Sequence, residues 1–114
     1  MSYGKELEMY SQQGDTLYFS EKQLPTGLKP VPPRSGLLIV AEGEATGHHH
    51  SFTLDQEVEL LTDDKGTLWC VVNGDSAVVQ HQEHKPVTLK KGVYRVGIVR
   101  EVDPFSEEVR QVRD

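Results

Sequence analysis

The chain has 114 residues and a formal net charge of −6, from eighteen acidic and twelve basic residues. Nucleic-acid binding through phosphate neutralisation needs a basic stripe, and no Lys/Arg cluster is longer than Lys90-Lys91. The longest apolar run, Leu37 to Ala41, is five residues, whereas a membrane-spanning helix needs about 20. We therefore expect neither nucleic acid nor a membrane among the partners.

The length suits one domain with a modest core. We expect a single domain over 1–114, with an N-terminal arm and edge strand at 1–34, a β core at 35–103 and a tail at 104–114. Cys70 is the only cysteine, so an oxidising compartment is not implied. The first fourteen residues lack the pattern of a secretion signal. These features predict a cytoplasmic protein.

The N-terminal third offers few regular elements. A loose arm or an irregular helix turn is expected over Lys5 to Tyr10, followed by an edge strand at Thr16 to Phe19. The segment from Leu24 to Pro33 contains four prolines. Proline disfavours helix and removes backbone donors, so this segment is predicted to be extended.

From Ser35 onward, short runs of β-branched and aromatic residues alternate with Gly, Asn and Asp pairs. This spacing is typical of an all-β barrel or sandwich. We expect strands at Leu37 to Glu42, His48 to Leu54 and Glu57 to Thr62. Turns are expected at Gly43 to Gly47 and Asp63 to Gly66.

The clearest predicted hairpin turns at Gly74-Asp75 and joins Thr67–Val72 to Ser76–His81. In this register His81 lies opposite Leu68 and shares the apolar, inward face with Cys70. A shift of one residue would turn His81 outward, so its place inside depends on the register.

The remaining elements follow Pro86 to Leu89. A turn at Lys90 to Gly92 is predicted to lead into a long strand, Val93 to Val102, with Tyr94 and Arg100 facing inward. Pro104 begins a stretch with helical spacing of apolar residues, which predicts a short C-terminal helix or an ordered tail.

All five histidines lie in two runs, Gly43-Glu44-Ala45-Thr46-Gly47-His48-His49-His50 and His81-Gln82-Glu83-His84. Because alternate residues of a strand share a face, His48 and His50 are predicted to point together while His49 points away. Phe52 and Leu54 continue the face of His48 and His50, which favours an inward direction.

Several imidazoles on one face are a set of ligands suited to a divalent transition metal. We expect His48, His50 and His81 as the main ligands of zinc, iron, nickel or manganese, with His84 as a fourth ligand or a supporting group. Cys70 could be a soft ligand, although a lone buried cysteine is more often a core residue.

Glu44 and Glu83 are the carboxylates nearest to the histidines in sequence. Either could accept the second ring N–H of a ligating histidine. If the metal keeps an open position, either could instead act as general base toward a bound water, and these two are the candidate catalytic residues.

Glycine, a short spacer, His48-x-His50 and a later Glu57 resemble the metal-binding core of cupins, which are small β-barrels. The chain is also similar to small bacterial and phage proteins with GExTGHxH and HxEHxP runs and a GxYxV strand. The matching residues here begin at Gly43, His81 and Gly92. The resemblance implies a β fold with a histidine site and implies no particular reaction.

Three functions are compatible with this pattern. The first is a metal-binding β-barrel protein that acts, as a metal-dependent enzyme, on a small-molecule ligand. The second is a non-catalytic binding or assembly module whose histidines are structural, with a homo-oligomer formed through exposed β edges or the proline-rich arm. The third is a pH-responsive histidine cluster without metal.

Overall fold

The computed structural model describes residues 10–42 and 47–98, and this part of the chain is all-β. Its strands are β1 (Tyr10–Gln13), β2 (Thr16–Glu21), β3 (Lys29–Pro30), β4 (Leu37–Glu42), β5 (His49–Thr53), β6 (Val58–Thr62), β7 (Leu68–Val79) and β8 (Val87–Ile98). The all-β prediction is therefore confirmed. Within the described ranges there is no helix of the length and apolarity required to cross a membrane.

The strands form a six-stranded antiparallel sheet and a two-stranded ribbon. The order in the sheet is β1-β2-β8-β7-β6-β3, and β4 pairs with β5 in the ribbon. The two longest strands, β7 and β8, lie at the centre of the sheet and pair from Leu68 opposite Val96 to Val79 opposite Val87. The shorter strands of the sheet pair on either side of these two, with β2 next to β8 and β6 next to β7.

The core lies between the ribbon and one face of the sheet. Leu38 and Phe52 of the ribbon belong to the same buried cluster as Leu60, Val72 and other residues of the sheet. Alternation of buried and less buried positions along β4 and at both ends of β7 contributes to this apolar face. Burial of such side chains removes apolar surface from water and is the main source of stability for a domain of this size.

The predicted hairpin at Gly74-Asp75 is wrong, because β7 runs through this position without turning back. The pairing with β8 shifts between Val72 and Ser76, which marks a β-bulge. The Asn73 N–H donates to the Glu57 carbonyl at 2.8 Å, and a Cβ on Gly74 would lie 2.7 Å from Glu57 Oε1. Contacts with the segment before β6 thus hold the bulge in place.

The predicted turn at Lys90 to Gly92 is wrong for a related reason. These residues lie inside β8, opposite the bulge of β7. Gly92 has φ of +151°, a conformation that glycine adopts more readily than other residues. A turn signal in the sequence therefore marks a local irregularity in two long paired strands.

The N-terminal segment is more than an arm with an edge strand. β2 lies between β1 and β8, and its Leu17 and Tyr18 are buried. Thr16 to Phe19 is therefore an interior part of the sheet. Of the arm or helix turn predicted over Lys5 to Tyr10, only Tyr10 is described, and it lies in β1. The positive φ of Gly14, 60°, allows the tight connection between β1 and β2.

Other sequence predictions hold with small changes of boundary. The strands at β4, β5 and β6 and the turn at Asp63 to Gly66 are confirmed. Lys29 and Pro30 of the proline-rich segment are extended and pair with β6. Leu54 does not continue the inward face, since it follows β5 in a turn and is 51% exposed.

Several predictions fall wholly or partly outside the described residues. They are residues 5–9 of the N-terminal arm, most of the turn from Gly43 to Gly47 with Glu44, the end of the strand to Val102, the inward direction of Arg100 and the C-terminal helix from Pro104.

An isolated β-bridge joins the ribbon to the residue that follows β7. Ser51 N–H donates to the Gln80 carbonyl at 3.0 Å, and Gln80 N–H donates to the Ser51 carbonyl at 2.9 Å. This bridge places the β5 histidines beside the segment that begins at His81.

Candidate functional site

Four imidazole rings from the two histidine runs meet beside this bridge. The ring centre of His81 lies 4.4 Å from that of His50, 4.6 Å from that of His84 and 5.7 Å from that of His48. The rings of His50 and His84 are nearly parallel, with centres 6.3 Å apart. We call these four residues the histidine cluster; His81 is its central member.

His50 is the buried member, with 2% of its surface exposed. Its Nδ1 lies 2.7 Å from Oε1 of Gln13. The Gln13 amide nitrogen donates to the carbonyls of Val79 and Lys85, at 3.0 and 2.9 Å, so Oε1 is the acceptor for the imidazole. The His50 proton is therefore on Nδ1, and Nε2 carries a free lone pair in the neutral ring.

The surroundings of His50 favour the neutral ring. Burial lowers the pKa of His50 to about 4, and the neighbouring His81 acts in the same direction. Asp15 opposes this effect, since its Oδ1 lies 3.9 Å from His50 Nε2. At neutral pH His50 thus presents an uncharged nitrogen lone pair, which is the form that binds a metal or accepts a proton.

His81 has the opposite pattern of protonation. Its Nδ1 accepts the backbone N–H groups of Glu83 and His84, at 3.0 and 3.3 Å. The neutral ring therefore carries its proton on Nε2. Burial lowers the pKa of His81, with further contributions from His84 and His48. The short segment after β7 folds around this ring, which fixes its direction.

The two remaining rings lie nearer to solvent. His48 Nδ1 is 3.6 Å from a carboxylate oxygen of Glu83. His84 packs against Gly14, where an added Cβ would lie 2.6 Å from His84 Nε2. Gly14 therefore leaves the space that the His84 ring occupies.

His49 points to the other side of β5, as predicted. Its backbone N–H donates to Oε1 of Gln82 at 2.8 Å, and its ring Nε2 lies 3.3 Å from the Gln82 amide nitrogen. The structure thus brings His48, His50, His81 and His84 together and keeps His49 apart. The position of His81 was predicted from a hairpin at Gly74-Asp75. This hairpin does not form, yet His81 still lies beside the other three rings.

The other candidates have less direct roles. Glu83 lies beside His48, whereas Glu44 is outside the described residues. Cys70 is fully buried, and burial raises the pKa of its thiol to about 12, which favours a core residue over a thiolate ligand. Tyr94 is buried and its hydroxyl donates to the Lys90 carbonyl at 2.6 Å.

The rings are close to one another but are not arranged as a formed metal site. Within residues 10–42 and 47–98, no three His, Cys, Asp or Glu side chains have an arrangement that could hold a metal ion. Ligation by three or more of these side chains would therefore require rotation of at least some of the rings.

Two residues that contribute to the site were not predicted from the sequence. Gln13 fixes the tautomer of His50, and Asp15 lies near the free nitrogen of the same ring. Both come from β1 and the turn after it, more than thirty positions away in sequence. Nothing in their local pattern distinguishes them from ordinary polar residues of an edge hairpin.

Comparison with protein families finds a match that covers most of the chain. The family described as "Domain of unknown function (DUF8820)" matches residues 12–99, which include both histidine runs and Gln13. Comparisons with curated proteins and with solved structures gave no match.

Proposed function

The chain belongs to the family described as a domain of unknown function (DUF8820), and from the geometry of its histidines we propose that it binds a divalent transition metal. The proposed ligands are His48, His50, His81 and His84. The observation that carries the proposal is the convergence of four imidazole rings around His81.

The spacing of the rings supports this proposal. With metal–nitrogen distances of about 2.0 Å and tetrahedral angles, the centres of two ligating imidazoles lie about 5 Å apart. The three separations among His50, His81 and His84 are 4.4, 4.6 and 6.3 Å. These values lie on both sides of the expected one, so modest ring movements would bring the nitrogens to a common point.

Among the four proposed ligands, His50 needs the least rearrangement of its ring and hydrogen bonds to bind metal. Its Nδ1–H is held by an amide oxygen, an arrangement that orients metal-binding histidines in many proteins. Its free Nε2 lies on the side of Asp15. His48 and His84 are less buried, and their rings can rotate at a lower cost in packing.

His81 must change its hydrogen bonding to become a ligand. Its Nδ1 accepts two backbone N–H groups, and its Nε2 carries the proton. Since a ligating nitrogen has no proton, the ring has to leave these contacts before either nitrogen can bind metal in a neutral imidazole. Metal binding is therefore coupled to a rearrangement of the segment from His81 to His84.

An all-imidazole site suits zinc, iron or nickel, and manganese is the less favoured member of the predicted set because it prefers carboxylate and water oxygens. With an open coordination position, the metal would activate a water and Glu83 would act as its general base. On this proposal the protein is a cytoplasmic metal-dependent enzyme acting on a small molecule.

Calorimetric titration of zinc into metal-free, untagged protein tests the proposal. We expect one metal per chain, and at least tenfold weaker binding in His50→Ala and in His84→Ala. His84 is exposed, so its substitution tests ligation without a large effect on folding. His49→Ala is the matched control and should bind zinc like the unmodified protein. Unchanged affinity in both cluster variants would contradict the proposal.

A second candidate function is a non-catalytic module in which the histidines hold the fold together. It is favoured by the position of Gln13, which links β1 to His50 of β5 and to the carbonyls of Val79 and Lys85. In this case metal removal should lower the melting temperature or dissociate a homo-oligomer, as measured by calorimetry and sedimentation. A metal that serves catalysis alone should leave the oligomeric state unchanged on removal, although the melting temperature falls whenever a metal that binds only the folded chain is removed.

A further inference from the structure

The turn between β1 and β2 faces the histidine cluster with three consecutive residues. Oε1 of Gln13 lies 2.7 Å from Nδ1 of His50, and Gly14 leaves the space that the His84 ring occupies. Oδ1 of Asp15 lies 3.9 Å from Nε2 of His50. This turn therefore brings a carboxylate to the cluster from a part of the chain outside both histidine runs.

Side-chain hydrogen bonds hold the backbone of this turn in place. The Gln12 amide nitrogen donates to the Gly14 carbonyl at 2.7 Å, and the Gln13 amide nitrogen donates to two backbone carbonyls from other parts of the chain. The backbone of Asp15 consequently has a defined position, and rotation about its side-chain bonds is enough to bring its carboxylate closer to the cluster.

The facing atoms of His50 and Asp15 are both acceptors. Because Gln13 holds the His50 proton on Nδ1, Nε2 of the neutral ring carries a lone pair, and an ionised carboxylate can only accept. These two atoms cannot bond to each other, and their separation of 3.9 Å is longer than a hydrogen bond. A cation between them is attracted by both.

Nε2 is the part of His50 that a metal can reach. This nitrogen has no hydrogen-bond partner in the described part of the chain, yet it is not one of the fully buried polar atoms without a partner. The small surface that His50 exposes, 2%, therefore includes Nε2. The Asp15 side chain on this side of the ring is 39% exposed, so a cation from solvent can reach both atoms.

The distance between the two atoms is close to that of two ligands of one metal. With metal–ligand distances of about 2.1 Å and tetrahedral angles, a ligating nitrogen and a ligating oxygen lie about 3.4 Å apart. The separation of His50 Nε2 and Asp15 Oδ1 is 3.9 Å. A movement of about half an ångström by the exposed carboxylate gives the expected distance.

We propose that Asp15 is a metal ligand next to His50, so that a carboxylate oxygen joins the imidazole nitrogens in the site. This inference rests on the proposed metal binding and adds a ligand that determines metal preference. Imidazoles alone leave the full charge of the cation, whereas a carboxylate offsets part of it. Carboxylate oxygen also suits manganese better than imidazole does, so Asp15 should extend the range of metals from zinc toward manganese.

Asp15→Asn tests this role, because asparagine keeps the shape of the side chain and removes its charge. Zinc and manganese are each titrated into metal-free, untagged protein. We expect zinc to bind about tenfold more weakly to the variant and the affinity for manganese to fall by a larger factor. Asp64→Asn removes the same charge from an exposed turn residue and should bind both metals like the unmodified protein.

Two spectra separate direct ligation from a long-range effect of charge. Zinc should shift the carboxyl carbon signal of Asp15 in NMR spectra of the unmodified protein and leave that of Asp64 in place, a measurement that needs no variant. Cobalt, a substitute for zinc, has a visible absorption spectrum that depends on its ligand atoms. At saturating cobalt this spectrum should differ between Asp15→Asn and the unmodified protein, and Asp64→Asn should leave it unchanged.

The results also distinguish this inference from the proposed function. Equal zinc affinity in Asp15→Asn and the unmodified protein, an unchanged cobalt spectrum, or an undisturbed Asp15 carboxyl signal would each overturn the role of Asp15. Metal binding by the histidine cluster would still stand in these cases if His50→Ala weakens zinc binding. Absence of zinc and manganese binding to the unmodified protein would contradict both.

Discussion

Nδ1 of His50 lies 2.7 Å from Oε1 of Gln13, and this hydrogen bond determines which nitrogen of the imidazole is free. The same Gln13 side chain donates to two backbone carbonyls. One buried amide thus orients the buried ligand of the proposed site and connects β1 to the ribbon, to β7 and to the segment before β8. Its removal should affect both stability and metal binding.

We therefore expect Gln13→Leu to destabilise the protein by about 2–4 kcal/mol, because it leaves His50 Nδ1 and the carbonyls of Val79 and Lys85 without their partner. Zinc affinity should fall about 10–100-fold. Urea unfolding and calorimetry measure the two effects. Gln80→Leu, at an exposed position, is the control, and an equal loss of stability in both variants would contradict the prediction.

The stability of the metal-free protein should depend on pH through His50. Burial lowers its pKa from 6.5 to about 4, so between these values the unfolded chain binds more protons than the folded one. The free energy of unfolding therefore falls as pH falls from about 6.5 towards 4, by up to about 3 kcal/mol.

Urea unfolding at pH 7, 5.5 and 4.5 in the presence of a chelator measures this dependence. Other acidic groups also titrate near pH 4, so the informative quantity is the difference between the unmodified protein and His50→Gln. That difference should shrink as the pH falls. A difference that is constant with pH would show that His50 does not titrate in this range.

Gly14→Ala should disturb the cluster through His84. The new Cβ would lie 2.6 Å from His84 Nε2, and Gly14 also has a positive φ of 60°. We expect a loss of about 1 kcal/mol in stability from the backbone conformation and, in addition, at least tenfold weaker zinc binding from displacement of the ring.

Gly27→Ala is the matched control for this variant. Gly27 has a comparable φ of 77°, and nothing lies within 4 Å of its added Cβ. It should lose similar stability while its zinc affinity stays unchanged. Unchanged zinc affinity in Gly14→Ala as well would argue against a role for His84 in metal binding.

Zinc should also change the backbone signals of Glu83 and His84. Their N–H groups donate to His81 Nδ1 in the metal-free structure, and ligation by His81 requires these bonds to break. We expect large shifts of both amide signals in NMR spectra and faster exchange of these hydrogens with solvent. The amides of β6 serve as the reference. Undisturbed signals at saturating zinc would exclude His81 as a ligand.

Much of the fold and part of the site follow from local sequence patterns. The alternation in β4 and β5 predicts which of His48, His49 and His50 point together, because side-chain direction in a strand is a local property. The apolar face of Cys70 and Val79 was predicted in the same way.

Long-range pairing could not be predicted in this way. Asn73-Gly74-Asp75 has the composition of a hairpin turn, but contacts with Glu57 and pairing with β8 make it a bulge instead. Likewise, the contact of Gln13 with His50 arises from the packing of strands that are distant in sequence. The local propensity of Asn73-Gly74-Asp75 is similar for a hairpin turn and for a bulge, and tertiary contacts determine which of the two forms.

The bridge between Ser51 and Gln80 has a consequence for how proteins of this family could diverge. The two residues hold the ribbon to the end of β7, and both hydrogen bonds of the bridge are between backbone atoms. Substitutions that keep the backbone N–H therefore leave both hydrogen bonds of the bridge in place, and the neighbouring imidazoles do not have to move. A relative with another residue in place of Gln80, whose side chain is exposed, can thus keep the same attachment of the ribbon beside its imidazoles.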